Sequence, residues 1–545
     1  MSAADAKAAT PSAFAPLGRG SFALLWVATV ISNTGTWMND VGAGWLMTEL
    51  SPSPATVALV QAATTLPVFL FALPAGALAD IVDRRRLLLI VNLMMAAAAL
   101  ALTVLVGAGA MTVELLLIFT FLLGAGAAFV APAWQAIVPG LVPRAELPAA
   151  ISLNSVGINV SRAIGPAVAG VLIVAAGLWA PFLANALSFV AILVALWVWR
   201  GETGGQRRLP PERLAPAMVA GVRYAAESPA LKRTLVRAVA FFFFASCYWA
   251  MLPLIARDVL EGGAGLYGVL LGAVGAGAVS GAFILPAMRR RLDPGAMVMA
   301  GTVATAVTLV ALAFAPNVIV ASVGAALGGL AWITVLSSLQ VSAQTALPNW
   351  VRARGLSLFL MTFSGAMALG SLVWGQVATL VGIPIALCAA AAGALVAAVL
   401  VRGIALSMPQ GDGLAPALHW PEPAWTLPGE AGDRRVMIQV EYQVGPSDRA
   451  AFVGLMDKLG AARRRNGGYH WSLMEDVEQP DRFVETWHEA SWLQHMRHHE
   501  RVTGDDKAVQ DSVLALLKDG APPRINHLAE PNPDGDDNHE RRAGP

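Results

Sequence analysis

The chain has 545 residues, 56% of them hydrophobic and 13% charged, where an average soluble domain carries about 25% charged residues. Lys and Arg (37) nearly cancel Asp and Glu (36), leaving a net charge of +1. That balance excludes a disordered chain, which needs low hydrophobicity and high charge, and a nucleic-acid binder built on a broad basic field. The two cysteines, Cys247 and Cys388, exclude a disulfide framework and a CxxC zinc site.

From the N-terminus, long apolar stretches separated by short polar breaks fill the first four hundred residues. A bilayer core takes about 20 apolar residues per helix. The pattern predicts spans over 22–48, 55–79, 87–108, 112–134, 150–176, 180–199, 235–258, 265–288, 295–314, 317–342, 355–380 and 383–403. These twelve helices predict an all-α polytopic membrane protein; a globular core has no use for so many long apolar segments. The opening MSAADAKAAT is not a signal peptide, and the apolar stretch from Ser21 is too long for an h-region, so no cleaved leader is expected.

Basic residues alternate between loops. Lys7 and Arg19, then Arg84 to Arg86, Arg144, the segment from Arg200 to Arg237, Arg289 to Arg291, Arg352 with Arg354, and Arg402 fall on one side; Arg257 is the exception. The positive-inside rule then places both termini in the cytoplasm and the protein in the inner membrane.

The halves repeat at an offset of 205 residues. Gly76-Ala77 precedes Arg84 to Arg86 as Gly281-Ala282 precedes Arg289 to Arg291, Gly165 aligns with Gly370, and Gln135 with Gln340. The predicted domains are an N-tail (1–20), a six-helix bundle (21–200), a basic linker (201–234) and a second six-helix bundle (235–405). Two parallel repeats describe a secondary transporter with its substrate site between the halves near the bilayer midplane.

Gly76 to Asp80 followed by Asp83 to Arg86 resembles the loop-2/3 signature of the major facilitator superfamily. Gly157 to Gly170, with Arg162 and Gly165-Pro166, resembles the fifth-helix signature of its exporters. Ser32 to Met38 and Pro139 to Asn154 resemble the enterobactin-exporter-like branch. Over residues 20–405 the resemblance implies a small-molecule exporter. It also implies a cytoplasmic latch of Gly76, Asp80, Arg84, Arg85 and Arg86, and a packing motif of Gly157, Gly165, Pro166 and Gly170. The second copy has Leu285 and Met288 where the first has Asp80 and Asp83, so a carboxylate latch would be one-sided. The arginines could instead serve topology alone.

Ionisable side chains inside hydrocarbon are costly and mark function. Asp40 is the only carboxylate well inside a span, and Asn33, Trp37, Asp40 and Gly44 share one helical face. No histidine precedes His419, so Asp40 is the expected proton carrier if transport is proton-driven; a structural pair is the alternative. The expected substrate cavity comprises Asn33, Trp37, Asp40, Gln61, Gln135, Arg162, Gln340 and Gln344. Arg162 could equally serve helix packing. The aromatic run Phe241 to Phe244 with Tyr248 and Trp249 suits substrate, lipid or the interfacial belt.

Composition changes after Arg402. Residues 406–432 read as a linker. Val436, Ile438, Val440, Tyr442 and Val444 alternate with polar residues as a half-buried strand. A helix through Phe452 to Leu459, strands near 469–477 and 482–490, helices over 491–501 and 505–517, and a strand near 524–528 follow. This βαββα(β) order predicts a small ferredoxin-like α+β domain over 433–528. With Glu485-Thr486-Trp487 and the Ser491 to Arg501 stretch, it resembles antibiotic-biosynthesis-monooxygenase-like domains, which usually pair into dimers. His495, His498 and His499 share a helix face, read as solvated. The acidic end, 529–545, is expected to be disordered.

The sequence thus predicts an ion-gradient-driven exporter, by proton antiport, of small amphipathic molecules such as siderophores or drugs. Its expected partners are substrate, a proton or other ion, the lipid bilayer and, through the tail, a second copy; nucleic acid, cofactors, metals and catalytic residues are not expected. The rival readings give the tail cofactor-free oxidation or a sensing and dimerising role.

Overall fold

The computed structural model describes residues 12, 14–199, 214–348, 350–406, 413–421 and 434–531. Most of the predicted N-tail, basic linker, second linker and acidic end lies outside the described residues. The chain divides into two compact units. One comprises Met1–Leu214, Arg233–Val341 and Ser357–Leu406; the other comprises Ala215–Lys232, Ser342–Leu356 and Ser407–Pro545.

The helices of the first half are α1 (Gly20–Leu50), α2 (Pro54–Ile81), α3 (Arg84–Gly107), α4 (Val113–Leu141), α5 (Leu147–Ala176) and α6 (Trp179–Val198). A short α7 (Leu214–Glu227) precedes α8 (Pro229–Leu254), which ends in a π-turn at Ile255–Val259. Then come α9 (Ala264–Arg289), α10 (Pro294–Ala313), α11 (Val318–Thr345), α12 (Arg352–Val381) and α13 (Ile383–Val401). Starts follow local chemistry. Asp83, Thr112 and Asp293 cap α3, α4 and α10 by accepting from backbone N–H groups three residues on. Pro54 and Pro294 sit in first turns, where a missing N–H costs nothing. Inside the spans, hydroxyls such as those of Thr103 and Thr120 bond back to the carbonyl four residues earlier, which satisfies them in a medium without water.

Eleven helices among the described residues are long and apolar enough to cross a membrane. They are α2 to α6 and α8 to α13. The sequence predicts twelve spans, the first over 22–48. That segment is helical, but α1 carries Ser32, Asn33, Asn39 and Asp40 and is not one of the eleven. Large apolar side chains such as Phe283, Leu380 and Leu400 point outward with over three-quarters of their surface exposed. A surface like this suits hydrocarbon rather than water.

The repeat is visible in the packing. α5 and α12 begin at 147 and 352 and end at 176 and 381, displaced by 205 residues at both ends. A Cβ on Gly165 would lie 2.6 Å from the Trp37 Cβ in α1; one on Gly370 would lie 2.3 Å from the Phe243 carbonyl oxygen in α8. Each half adds a tryptophan indole bonded to a backbone carbonyl across the same helix pair: Trp26 to Leu153 and Trp374 to Phe243.

The second unit holds a four-stranded antiparallel sheet in the order β2-β3-β1-β4. Its elements run β1 (Val436–Gln443), α14 (Arg449–Asn466), β2 (Tyr469–Glu475), β3 (Arg482–Glu489), α15 (Trp492–Arg501), α16 (Gly504–Leu514) and β4 (Arg524–Ala529). Val436, Ile438, Val440 and Tyr442 are buried at alternate positions of β1 and pack with Phe452, Met456 and Leu459 of α14. α14 stops at Gly467, whose φ of +134° few other residues adopt. The same unit includes α7 and the start of α8. There the Arg223 guanidinium donates to the Gly467 carbonyl at 2.7 Å, Glu227 pairs with Arg464 at 3.4 Å, and Arg501 lies 4.3 Å from the Trp350 ring.

Candidate functional site

In the first unit, α1, α2, α5, α8, α9, α11 and α12 enclose a cavity of about 190 Å³. Trp37, Asp40 and Gly44 reach it from α1, as the shared helical face predicts. Gln61, Thr64 and Thr65 come from α2, Arg162 from α5, and Trp249 from α8. Tyr267, Trp332, Phe363 and Met367 complete the wall. The Arg162 guanidinium sits 5.3 Å from the Trp37 ring. Its Nε has no hydrogen-bond partner in the protein, and neither has Trp249 Nε1. The cavity therefore presents one acid, one base and several aromatic rings, which suits a small amphipathic molecule.

Four of the eight expected cavity residues, Trp37, Asp40, Gln61 and Arg162, converge here. Asn33, Gln135, Gln340 and Gln344 are not among the lining residues, and the last three have exposed side chains. Spacing on one helix cannot reveal how far along the bundle a cavity extends, so Asn33, two turns before Asp40, falls short. Of the aromatic run, Phe241, Phe242 and Tyr248 are buried in packing, and only Trp249 reaches the cavity. Tyr267 and Trp332 were missed; a tyrosine hydroxyl and an indole N–H inside apolar spans were the available signals.

The two halves also meet at one end of this cavity, where α1 and α2 are joined. Trp45 stacks on Tyr267 with ring centroids 6.4 Å apart. Arg257, in the π-turn that ends α8, donates to the Thr48 carbonyl. The Ala55 amide donates to Thr379 Oγ1 at 3.1 Å, and a Cβ on Gly375 would lie 2.6 Å from that of Ala58. α5 and α9 approach through Gly170 and Gly268, where an added Cβ would meet the facing backbone at 3.3 and 2.9 Å.

The loop residues of the expected latch do specific work. Arg84 donates to the carbonyls of Ala79 and Ala136. Arg85 donates to those of Leu196 and Trp197, at the last turn of α6. A Cβ on Gly76 would lie 3.2 Å from Ser357 Oγ. The Asp80 side chain lies outside the described residues. Of the packing motif, Gly157 and Gly165 face α1 at Val30 and Trp37, Gly170 faces α9, and Pro166 is buried.

A second polar cluster is buried in the tail. Glu485 accepts from Tyr442, Arg463 and Trp471, and Arg463 lies 4.4 Å from the Trp487 ring. His498 Nδ1 is 2.5 Å from Glu489 Oε1, which also accepts from Trp487. The expected solvated face of α15 is thus corrected: His495 and His498 are fully buried. Trp420, from the segment after the membrane part, packs on His498 and His499, while His527 of β4 covers His495. Burial pushes the Glu489 carboxyl up to about 8. Burial and the neighbouring His499 push His495 down to about 2, and burial holds His498 well below the usual imidazole range. Among the described residues no three His, Cys, Asp or Glu side chains are grouped to hold a metal ion.

The fold is shared with solved transporters. A nucleoside transporter superposes with a TM-score of 0.61 at 12% identity, covering 70% of this chain and 99% of that one. A POT-family peptide transporter in complex with sulfate gives 0.60 at 14%, covering 72% and 96%. Curated relatives include the Staphyloferrin A transporter of Staphylococcus aureus, 24% identical over 64% of this chain and 87% of that protein. The multidrug efflux pump Tap of Mycolicibacterium fortuitum is 26% identical over 67% and 91%. Macrolide efflux protein A of Streptococcus pyogenes is 25% identical over 44% and 60%. Residues 11–533 match the family described as transmembrane secretion effector. With its spans, its duplicated halves and that match over nearly its whole length, this chain belongs to the transmembrane secretion effector family of the major facilitator superfamily.

Proposed function

We propose that this protein exports small amphipathic molecules, siderophores or drugs among them, across the cytoplasmic membrane by proton antiport through the aromatic cavity. The observation that carries the reading is the cavity itself: an acid and a base inside apolar spans, next to the place where the halves meet. Relatives named as a multidrug efflux pump, a macrolide efflux protein and a Staphyloferrin A transporter support the reading. In this reading α1 is a twelfth span, held by its packing on α5 and α6, and the arginine-rich side with both termini is cytoplasmic. Residues 21–200 and 235–405 are the two bundles, and 433–528 form a ferredoxin-like domain in which β4-β1-β3-β2 is the expected strand order. Its pairing into dimers belongs to the same proposal.

Asp40 carries the proton. Its carboxylate takes up a proton or the substrate in turn as access alternates. Gly76, Asp80 and Arg84 to Arg86 act as the latch. The test is efflux of a panel of siderophores and dyes from cells with and without the protein, with and without an uncoupler. Uncoupler-sensitive efflux by wild type and its loss in Asp40→Asn, at equal membrane abundance, is the expected result. Gradient-driven efflux retained by Asp40→Asn would sink the coupling role.

A further inference from the structure

The charges of the cavity carry information about the substrate, provided the cavity is the substrate site. Asp40 and Arg162 both line it, and neither has an ion-pair partner among the described residues. An unpaired charge in a low-dielectric site is expensive, and removing one partner of a buried pair is more costly than never burying it. Two such groups of opposite sign, lining one cavity but unpaired with each other, cost least when a third molecule completes both. The Arg162 guanidinium lies over the Trp37 ring, 5.3 Å from its centroid. Its Nε and Trp249 Nε1 are donors without protein acceptors. Asp40 supplies the opposite pole one helical turn from Trp37. The remaining wall is aromatic and apolar: Trp332, Phe363, Met367 and Leu271.

We propose that the transported molecules are zwitterionic at their polar end and aromatic elsewhere. A carboxylate is taken by Arg162 and Trp249 Nε1, and a cationic nitrogen by Asp40. A guanidinium pairs best with a planar carboxylate, through two parallel N–H donors. The cationic nitrogen and the transported proton compete for one carboxylate, so loading of one expels the other. The ring system lies against Trp37, Trp249 and Trp332, the last two in edge-to-face contact with centroids 5.1 Å apart. A cation leaves Arg162 unanswered and an anion leaves Asp40 to a proton, so each makes fewer polar contacts than the zwitterion and binds more weakly.

The test uses full-length protein in lipid nanodiscs and one scaffold in three charge forms. These are 2-naphthylalanine (zwitterion), its amide (cation) and its N-acetyl derivative (anion), titrated by calorimetry. The zwitterion is expected to bind at least about tenfold more tightly than either analogue, the ratio that 1.4 kcal/mol produces. Arg162→Gln should erase its advantage over the amide and keep that over the N-acetyl form; Asp40→Asn should do the reverse. Arg162→Lys, which keeps the charge, should retain part of the first advantage and guards against a folding defect. Equal binding of the three forms, no saturable binding of any, or advantages that survive both substitutions would overturn the proposal. Uncoupler-sensitive extrusion of 2-naphthylalanine from loaded cells separates the two readings. Charge-selective binding without extrusion removes the export reading and leaves the site; extrusion without charge selectivity does the opposite.

Discussion

Single side chains set the tightest constraints. Gly165 stands where a Cβ would come within 2.6 Å of the Trp37 Cβ and 3.0 Å of the Thr34 carbonyl oxygen. Both neighbours belong to α1, so neither can yield without shifting a helix. Gly165→Ala should cost about 1–3 kcal/mol of stability by overpacking, and Gly165→Val more, read as a fall in melting temperature in nanodiscs. The same contact sets how Trp37 is held over Arg162, so efflux should fall along with it. In the tail, the buried histidines and a buried carboxyl respond to pH in opposite directions. The histidines have folded values below the unfolded one, so they stabilise above about pH 6.5 and that stability is lost as the pH falls. Glu489 has a folded value raised to about 8, so its contribution is present at low pH and fades as the pH rises from about 4.5. The histidines outnumber the carboxyl, and tail stability should peak near pH 6.5. Calorimetry of the full chain, following the transition absent when residues after 406 are deleted, checks this. Glu489→Gln should flatten the alkaline side and steepen the acid side between about pH 4.5 and 6.5.

Helices were legible because their chemistry is local. Polar breaks, caps at Asp83 and Asp293, and first-turn prolines mark where spans begin, and the 205-residue offset predicted that α5 and α12 correspond. The tail strands were legible for the same reason, since alternation along β1 directly reports which face is buried. What the arginines bind was not legible. The family signature implies a latch built on charge, yet Arg85 spends its donors on the Leu196 and Trp197 carbonyls, which the end of α6 leaves without intrahelical partners. Arg85→Gln should therefore destabilise the first bundle, by about 1–2 kcal/mol for hydrogen bonds of a charged donor, as well as slow transport. Asp80→Asn should slow transport while leaving the melting temperature unchanged. Equal melting losses in both variants would assign the whole motif to structure rather than switching.

On the scale of the whole molecule, the contacts that matter join segments hundreds of residues apart. Ala55 meets Thr379, Thr48 meets Arg257, and Trp45 meets Tyr267. If transport rocks one bundle against the other, this side must open. With Cys247 and Cys388 replaced by alanine, a disulfide between Ala55→Cys and Thr379→Cys should stop efflux on oxidation and release it on reduction. Full cross-linking with undiminished efflux would contradict rocking at this end. The sequence by itself determined the membrane class, the duplication of the halves and the order of the tail elements. Each of these is written in composition or in a period of one element, so no partner need be known to read it. Only the tertiary structure decided which polar residues share a cavity, where the halves touch and that His495 and His498 of α15 are buried. These depend on what a distant segment presents: Gln340 and Gln344 share a helix face yet stay exposed, and His498 is covered by Trp420 from a segment the local pattern assigned to a linker. Periodicity says that a face is special, and only its neighbours say for what.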